Sequence, residues 1–202
     1  MIICLHGEAS SFKSGLAKHL SDKYNFEETS FARELYGILK YSCEVLGIPY
    51  EKDREFLTFV GEWGRRKTNN RGWINHVEGY IQNNRNSLIT ISDGRHTEEL
   101  KFCEENGIIV IHINRTLEED ERAKPFRNHV SEVEARLQEN KKYYDFVIDN
   151  DGTTEDAFEA IDSIMHMIQT NPPYEIQQKL QIQRGKKMGL NEIDTDIQHM
   201  YN

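Results

Sequence analysis

The sequence has few cysteines, and no two of them lie close together in the chain. Only three occur in 202 residues: Cys4, Cys43 and Cys103. A disulfide framework or a zinc site needs closely spaced or even-numbered ligands, so we expect three reduced thiols. The sequence also has no signal-peptide pattern and no apolar run long enough to span a bilayer. We therefore expect a cytoplasmic protein with no membrane partner.

The sequence also has fewer positively charged residues than negatively charged ones. Lys and Arg number 25 against 34 Asp and Glu, which gives a formal net charge of -9. Nucleic-acid-binding proteins usually carry a basic surface, so this balance argues against polymeric DNA or RNA as the partner. A small anionic substrate stays compatible with the composition, because a local group of cations can bind it within an acidic protein.

Short apolar runs alternate with helical patterns along the first 170 residues. Strands are predicted at 1–6, 87–92, 108–113 and 144–149, and helices at 13–23, 31–47, 52–64, 73–84, 96–106 and 154–169. This alternation predicts a three-layer α/β fold with a parallel sheet. Residues 171–202 form a polar, partly helical appendage, for which docking on the domain, a homodimer contact and a mobile tail all stay open.

The segment GEASSFKSG, residues 7–15, follows the first predicted strand and opens the first predicted helix. Its spacing is that of a phosphate-binding P-loop, G-x-x-x-x-G-K-[ST]. In such a loop, backbone N–H groups and the N-terminus of a helix bind phosphate. Lys13 would reach the β- and γ-phosphates of ATP, and the Ser14 hydroxyl would coordinate Mg²⁺. The predicted ATP-binding residues are Gly7, Ser11, Phe12, Lys13, Ser14 and Gly15.

Phe12 departs from the P-loop pattern, because it stands where the second glycine belongs. A non-glycine residue held in a left-handed backbone conformation costs about 1–3 kcal/mol. The ring would either point out of the loop or cover the phosphate site. A chance match in a turn is the alternative interpretation, but the strand before the segment and the helix after it favour a P-loop.

Charged residues follow two of the later strands. SDGR, residues 92–95, lies where the carboxyl end of a parallel strand would meet the P-loop. Asp93 is a candidate for holding Mg²⁺ or accepting a proton, and Arg95 for binding a substrate phosphate. A plain Asp-Gly turn is the alternative.

Further cations lie in two other segments. Arg115 closely follows the predicted strand 108–113. The next segment, 116–131, is rich in cations, including Arg122 and Arg127, and is typical of a lid or of a solvated loop. Residues 61–73 place Trp63 and Arg65 where a nucleotide could bind, although tryptophan more often anchors a core.

The ordered series of motifs resembles the deoxynucleoside monophosphate kinases of bacteriophages, a P-loop kinase family. The resemblance runs over residues 1–165. Beside the P-loop it rests on SFARELY (30–36), REFLTFVGEWGR (54–65), a Trp-Ile pair (73–74), ITISDGRHTEE (89–99), GIIVIHINR (107–115), HVSE (129–132) and DFVIDNDGT (145–153). It implies a three-layer α/β/α P-loop kinase domain over 1–170, with a helical NMP-binding region at about 30–85 and a lid at about 116–131.

The resemblance also implies an activity and residue roles. The chain would transfer the γ-phosphate of ATP, with Mg²⁺, to a deoxynucleoside monophosphate. The implied catalytic residues are Lys13, Asp93 and Arg115; the metal ligands are Ser14 and Asp93; the substrate-binding residues are Arg33, Trp63, Arg65 and Arg95; and the lid residues are Arg122 and Arg127. The departures are Phe12, Tyr36 in place of a lysine, and His96 in place of an aromatic residue. Two alternatives stay open: an impaired P-loop protein that binds a nucleotide or a partner, and a kinase for another acceptor, such as a modified nucleotide.

Overall fold

A single parallel sheet runs through the structure, a computed structural model that describes residues 1–116 and 128–171. Its five strands are β1 (Ile2–His6), β2 (Glu27–Thr29), β3 (Ile89–Gly94), β4 (Ile109–Asn114) and β5 (Phe146–Asp149). The strand order is β2-β3-β1-β4-β5, and every neighbouring pair is parallel. The sheet therefore places β1, which leads into the P-loop segment, at its centre.

Helices connect and flank these strands. They are α1 (Lys13–Tyr24), α2 (Arg33–Leu46), α3 (Arg54–Lys67), α4 (Gly72–Asn83), α5 (Thr97–Glu105), α6 (Val130–Ala135) and α7 (Thr154–Thr170), with a 3-10 helix at Gln138–Tyr143. The crossover from β1 to β2 contains α1, and the crossover from β3 to β4 contains α5. Parallel strands require such long connections, because a tight turn can join only antiparallel neighbours.

The core lies on both faces of the sheet. Side chains alternate between the faces of a strand, so β1 directs Ile3 and Leu5 one way and Cys4 the other. Ile3 and Leu5 belong to a cluster with side chains of α1 and α7, whereas Cys4 packs in a second cluster with side chains of α4 and α5. The predicted three-layer α/β architecture is confirmed.

Three elements were not predicted from the sequence: β2, α6 and the 3-10 helix at Gln138–Tyr143. The strand β2 has only three residues, two of them exposed, and carries the polar sequence EET. The helix α6 has six residues and begins within the last two residues of the segment 116–131 that was predicted as a lid. Neither β2 nor α6 has the apolar period of a longer element, so local pattern alone does not identify them.

Other expectations can be compared with the described residues. All three cysteines are free and buried. Among these residues, no helix combines the length and the apolar character needed to cross a membrane. Arg122, Arg127 and residues 172–202 lie outside the described part, so the predicted lid and appendage stay predictions. The cytoplasmic location and the homodimer also stay predictions.

Candidate phosphate-binding site

The segment 7–12 joins β1 to α1 at the carboxyl edge of the sheet, as the sequence predicts. Gly7 has φ 150°, and a Cβ atom built on it would lie 2.6 Å from the carbonyl oxygen of Ile113. Ser10 and Phe12 both adopt left-handed backbone angles, with φ of 63° and 79°. The loop is therefore a tight turn pressed against the end of β4.

Phe12 occupies the N-cap position of α1. Its ring lies over Gly15 and packs against Phe158 of α7, with ring centroids 5.8 Å apart. The ring therefore points out of the loop toward α7, which is the first of the two arrangements considered above. A phenylalanine side chain has no polar atom with which to cap a helix, so Phe12 gives the first N–H groups of α1 no side-chain acceptor.

The side chain of Lys13 folds back over the loop and is buried. Its Nζ donates to the carbonyl oxygens of Gly7 at 2.7 Å and Glu8 at 2.5 Å, and to Ser11 Oγ at 3.3 Å. Burial, together with the charge of Arg95, lowers the pKa of Lys13 to about 7. An ammonium group with this environment gains from an incoming anion, because charge-assisted hydrogen bonds are stronger than those to neutral carbonyls.

Asp93 lies at the end of β3 and fixes the start of α2. Its Oδ1 accepts from the backbone N–H of Phe31 at 2.7 Å, and its Oδ2 accepts from that of Ala32 at 2.9 Å. Loss of water around the carboxylate, reinforced by the charge of Glu99, raises the pKa of Asp93 to about 6. Sequence reasoning did not foresee this capping contact, and the predicted role of Asp93 toward Mg²⁺ stays a prediction.

Arg95 binds a carboxylate from a distant part of the chain. Its Nη1 donates to Oε1 of Glu132 in α6 at 2.6 Å, while Oε2 of Glu132 accepts from the backbone N–H of Ala9 at 2.7 Å. Glu132 is only 3% exposed. Glu132 therefore joins the end of β3, the P-loop segment and α6. The HVSE motif contained this residue, but nothing in the motif indicated its partners.

The segments after β4 and β5 also contact the loop. Arg115 donates through Nη1 to the carbonyl oxygen of Ser10 at 3.0 Å, and Asn150 donates through Nδ2 to that of Ser11 at 3.1 Å. Asp151, next to Asn150, accepts from the backbone N–H of Thr116 at 2.6 Å. The structure thus brings Arg115 to the loop, whereas Asn150 is a contact residue that sequence reasoning missed.

The predicted substrate-side residues lie on helices beside this site. Arg33 begins α2 and stacks its guanidinium 5.1 Å from the ring centre of Tyr80. Trp63 on α3 is 49% exposed, and Arg65 lines a pocket of about 370 Å³ between α3, α4 and α5. In the part of the chain that the structure describes, no hydrogen bond joins these three residues to the loop. Their binding roles stay predictions.

Two histidines lie side by side on neighbouring strands, His6 at the end of β1 and His112 within β4. Nδ1 of His6 and Nδ1 of His112 are 2.9 Å apart, and His112 stacks on Tyr144 with ring centroids 4.3 Å apart. Burial and the neighbouring Lys13 charge lower the pKa of His112 to about 4, and burial likewise lowers the pKa of His6. Both rings are therefore neutral at neutral pH and add no charge beside Lys13.

The described residues contain no group of three or more His, Cys, Asp or Glu side chains placed to hold a metal ion. Mg²⁺ commonly takes one or two protein ligands together with phosphate oxygens and waters. The exposed Ser14, in the first turn of α1, could supply such a ligand.

No family model and no curated protein matches this chain. Solved structures with a similar fold include shikimate kinase from Aquifex aeolicus, at 14% identity over 85% of this chain and 100% of that chain, with a TM-score of 0.47. Another is dephospho-CoA kinase from Campylobacter jejuni, at 16% identity over 81% of this chain and 96% of that chain, with a TM-score of 0.49. Both proteins are kinases. The order and direction of the strands, rather than these distant likenesses, establish the α/β fold.

Proposed function

We propose that this protein is an ATP-dependent kinase that transfers the γ-phosphate of ATP to a deoxynucleoside monophosphate. The observation that carries the proposal is the environment of Lys13. Its buried ammonium lies over the loop between β1 and α1, where it bonds to the carbonyl oxygens of Gly7 and Glu8. Arg95 lies close enough to lower its pKa, and Arg115 contacts the same loop.

A nucleotide polyphosphate fits these residues. The N-terminus of α1 provides backbone N–H groups and the positive end of the helix dipole, which favour anions. Lys13 supplies a positive charge at the loop, and the Ser14 hydroxyl would hold Mg²⁺ in the first turn of α1. Bound Mg²⁺ would neutralise charge on the β- and γ-phosphates.

In the proposed reaction, an oxygen of the acceptor phosphate attacks the γ-phosphorus in line. The bond from that phosphorus to the β-phosphate oxygen breaks, and ADP leaves. Such transfers depend mainly on positioning and on stabilising charge on the transferring oxygens. Lys13 would stabilise the transferring phosphoryl group, and Arg95, beside Lys13, would bind both that group and the acceptor phosphate. Arg115 would approach from the end of β4.

The choice of acceptor comes from the resemblance to phage deoxynucleoside monophosphate kinases. Arg33, Trp63 and Arg65 lie on α2 and α3, in the region expected to bind the nucleoside monophosphate. The acceptor panel described below tests the base, including a modified one. The impaired-protein alternative arose from Phe12, and the placement of its ring toward Phe158 favours a working loop.

The proposal is tested by ADP release from ATP–Mg²⁺ with a panel of deoxynucleoside monophosphates, modified ones and non-nucleotide acceptors. We compare Lys13→Ala with Lys18→Ala, which removes a lysine from the same helix. The Lys18 side chain is 74% exposed and pairs with Asp22 on the surface. We expect acceptor-dependent ADP release that is lost only in Lys13→Ala. Equal activity in both variants contradicts the role of Lys13, and activity only with non-nucleotide acceptors contradicts the substrate class.

A further inference from the structure

Glu132 is a buried carboxylate whose two oxygens bind donors from two different segments. Oε2 accepts from the backbone N–H of Ala9 in the loop at 2.7 Å, and Oε1 accepts from Nη1 of Arg95 at 2.6 Å. The Ser131 hydroxyl lies 3.4 Å from Oε1. A carboxylate held by two donors in a low-dielectric place constrains both of them, because losing either contact leaves a polar group unsatisfied.

The carboxylate of Glu132 offsets the repulsion between the positive charges of Lys13 and Arg95. The positive charge of Arg95 lowers the pKa of Lys13, whereas the negative charges of Glu132 and Asp93 raise it. His6 and His112 also face Lys13, and both have lowered pKa values. Without Glu132, two neighbouring cations would repel each other beside the loop, and Arg95 would lose the partner that fixes its direction.

We propose that Glu132 is a positioning residue for phosphate binding: it holds the guanidinium of Arg95 and the backbone of Ala9 in the arrangement that receives a phosphate. The proposal rests on the proposed function in that it takes a polyphosphate as the ligand of the loop. Arginine has five N–H donors in a planar fork. Since Nη1 donates to Glu132, the N–H groups on the other edge of the guanidinium can donate to a phosphate oxygen.

Glu132→Gln is the most specific test, because glutamine has the same shape as glutamate but only one acceptor oxygen. Its NH₂ group would face either the Ala9 N–H or the Arg95 guanidinium, and both of these are donors. The matched control is Glu134→Gln on the same helix. Oε2 of Glu134 accepts from the Thr97 N–H at 3.1 Å and pairs with His96, so it too holds a backbone donor and a side chain.

The measurement is calorimetric binding of tripolyphosphate, which requires neither an acceptor nor turnover. We expect Glu132→Gln to bind about tenfold more weakly than wild type, the size of one lost charge-assisted hydrogen bond, and Glu134→Gln to bind as wild type does. Tighter binding by Glu132→Gln would mean that Glu132 competes with phosphate, and it overturns the proposal. Unchanged binding, or equal weakening in both variants, overturns it as well.

A second comparison separates positioning through Arg95 from a general structural role. If Glu132 acts in part through Arg95, Glu132→Gln should weaken tripolyphosphate binding less in an Arg95→Ala background than in the wild-type chain, where the Ala9 contact and the Arg95 contact are both lost. Additive losses contradict this. Should Glu132→Gln fail to fold, Glu132→Asp keeps the charge but is one methylene shorter, so it reaches one partner and should give an intermediate loss. Wild-type affinity in Glu132→Asp contradicts the two-donor arrangement.

These results are independent of the outcome for the kinase reaction. Coupling between Glu132 and Arg95 in a protein that releases no ADP with any acceptor supports the positioning role and removes the proposed reaction. Acceptor-dependent ADP release in a protein whose Glu132→Gln variant binds tripolyphosphate as wild type does supports the reaction and removes the positioning role.

Discussion

The ring of Phe12 lies directly over Gly15. A Cβ atom built on Gly15 would stand 2.3 Å from both Cε2 and Cζ of that ring, well inside van der Waals contact. Phe12 itself adopts φ 79°, a left-handed angle that suits glycine. The two positions therefore form a matched pair, in which a phenylalanine at the glycine position of the loop requires a glycine in the first turn of the helix.

We predict that Gly15→Ala destabilises the wild-type chain by about 1–3 kcal/mol, because the new methyl group overpacks against the Phe12 ring. In a Phe12→Gly background the same change should be neutral or stabilising by up to about 1 kcal/mol, since alanine is the better helix former. Urea unfolding of the four proteins measures this. If the two changes are additive, the contact between the two residues carries no energy.

The same geometry predicts that Phe12→Gly alone leaves phosphate binding nearly unchanged. The ring packs toward Phe158, away from the loop, so its removal should alter tripolyphosphate affinity by no more than about threefold, which is under 1 kcal/mol. Calorimetry on folded protein checks this. A large gain in affinity would show that the ring obstructs the site, and would revive the interpretation of an impaired loop.

Gly7 gives a test of the loop backbone. Gly7→Ala would place a methyl group 2.6 Å from the carbonyl oxygen of Ile113 at a φ of 150°. We therefore expect the free energy of unfolding to fall by about 1–3 kcal/mol. The control is Gly79→Ala in α4, where a Cβ atom meets nothing within 4 Å and should stabilise the helix by up to about 1 kcal/mol. Urea unfolding midpoints measure the stability of the two variants. Similar midpoints for Gly7→Ala and Gly79→Ala contradict the loop geometry.

Sequence periodicity found the elements that build this site because each is locally encoded. The strand β1 is a continuous apolar run, and Leu16, Ala17 and Leu20 mark the buried face of α1. The spacing from Gly7 to Ser14 then places Lys13 at the start of the helix without knowledge of the rest of the chain. Local pattern and chain order were therefore sufficient for the α/β fold and for the loop.

Contacts between distant segments were outside the reach of that reasoning. Glu132 lies 123 residues from Ala9, and Asn150 lies 139 residues from Ser11. Neither side chain has a spacing that indicates its partner, since the partner is set by how β4, β5 and α6 meet the loop. Asp93 was singled out as a metal ligand, and its capping of α2 became visible only once β3 and α2 lay side by side.

The pKa values of Lys13 and Asp93 predict the pH dependence of the proposed reaction. Lys13, with a pKa of about 7, loses its charge as pH rises, and Asp93, with a pKa of about 6, loses its charge as pH falls. The kcat/KM for ATP should therefore be highest between these values, because it reports groups of the enzyme form that binds ATP. In Lys13→Arg, whose guanidinium stays charged, the alkaline decline should disappear. Its persistence would assign that decline to another group.

The neighbouring histidines His6 and His112 predict a loss of stability in mild acid. The pKa of His112 is lowered from 6.5 to about 4 in the folded protein, so the unfolded chain binds more protons between these values. Its contribution to stability is complete above pH 6.5 and is lost as pH falls toward 4, by up to about 3 kcal/mol. Urea unfolding at pH 7 and pH 5 should show a smaller loss for His112→Gln than for wild type. His166→Gln, at an exposed position on α7, controls for removal of a histidine. Equal losses in wild type and His112→Gln would place the acid sensitivity elsewhere in the chain.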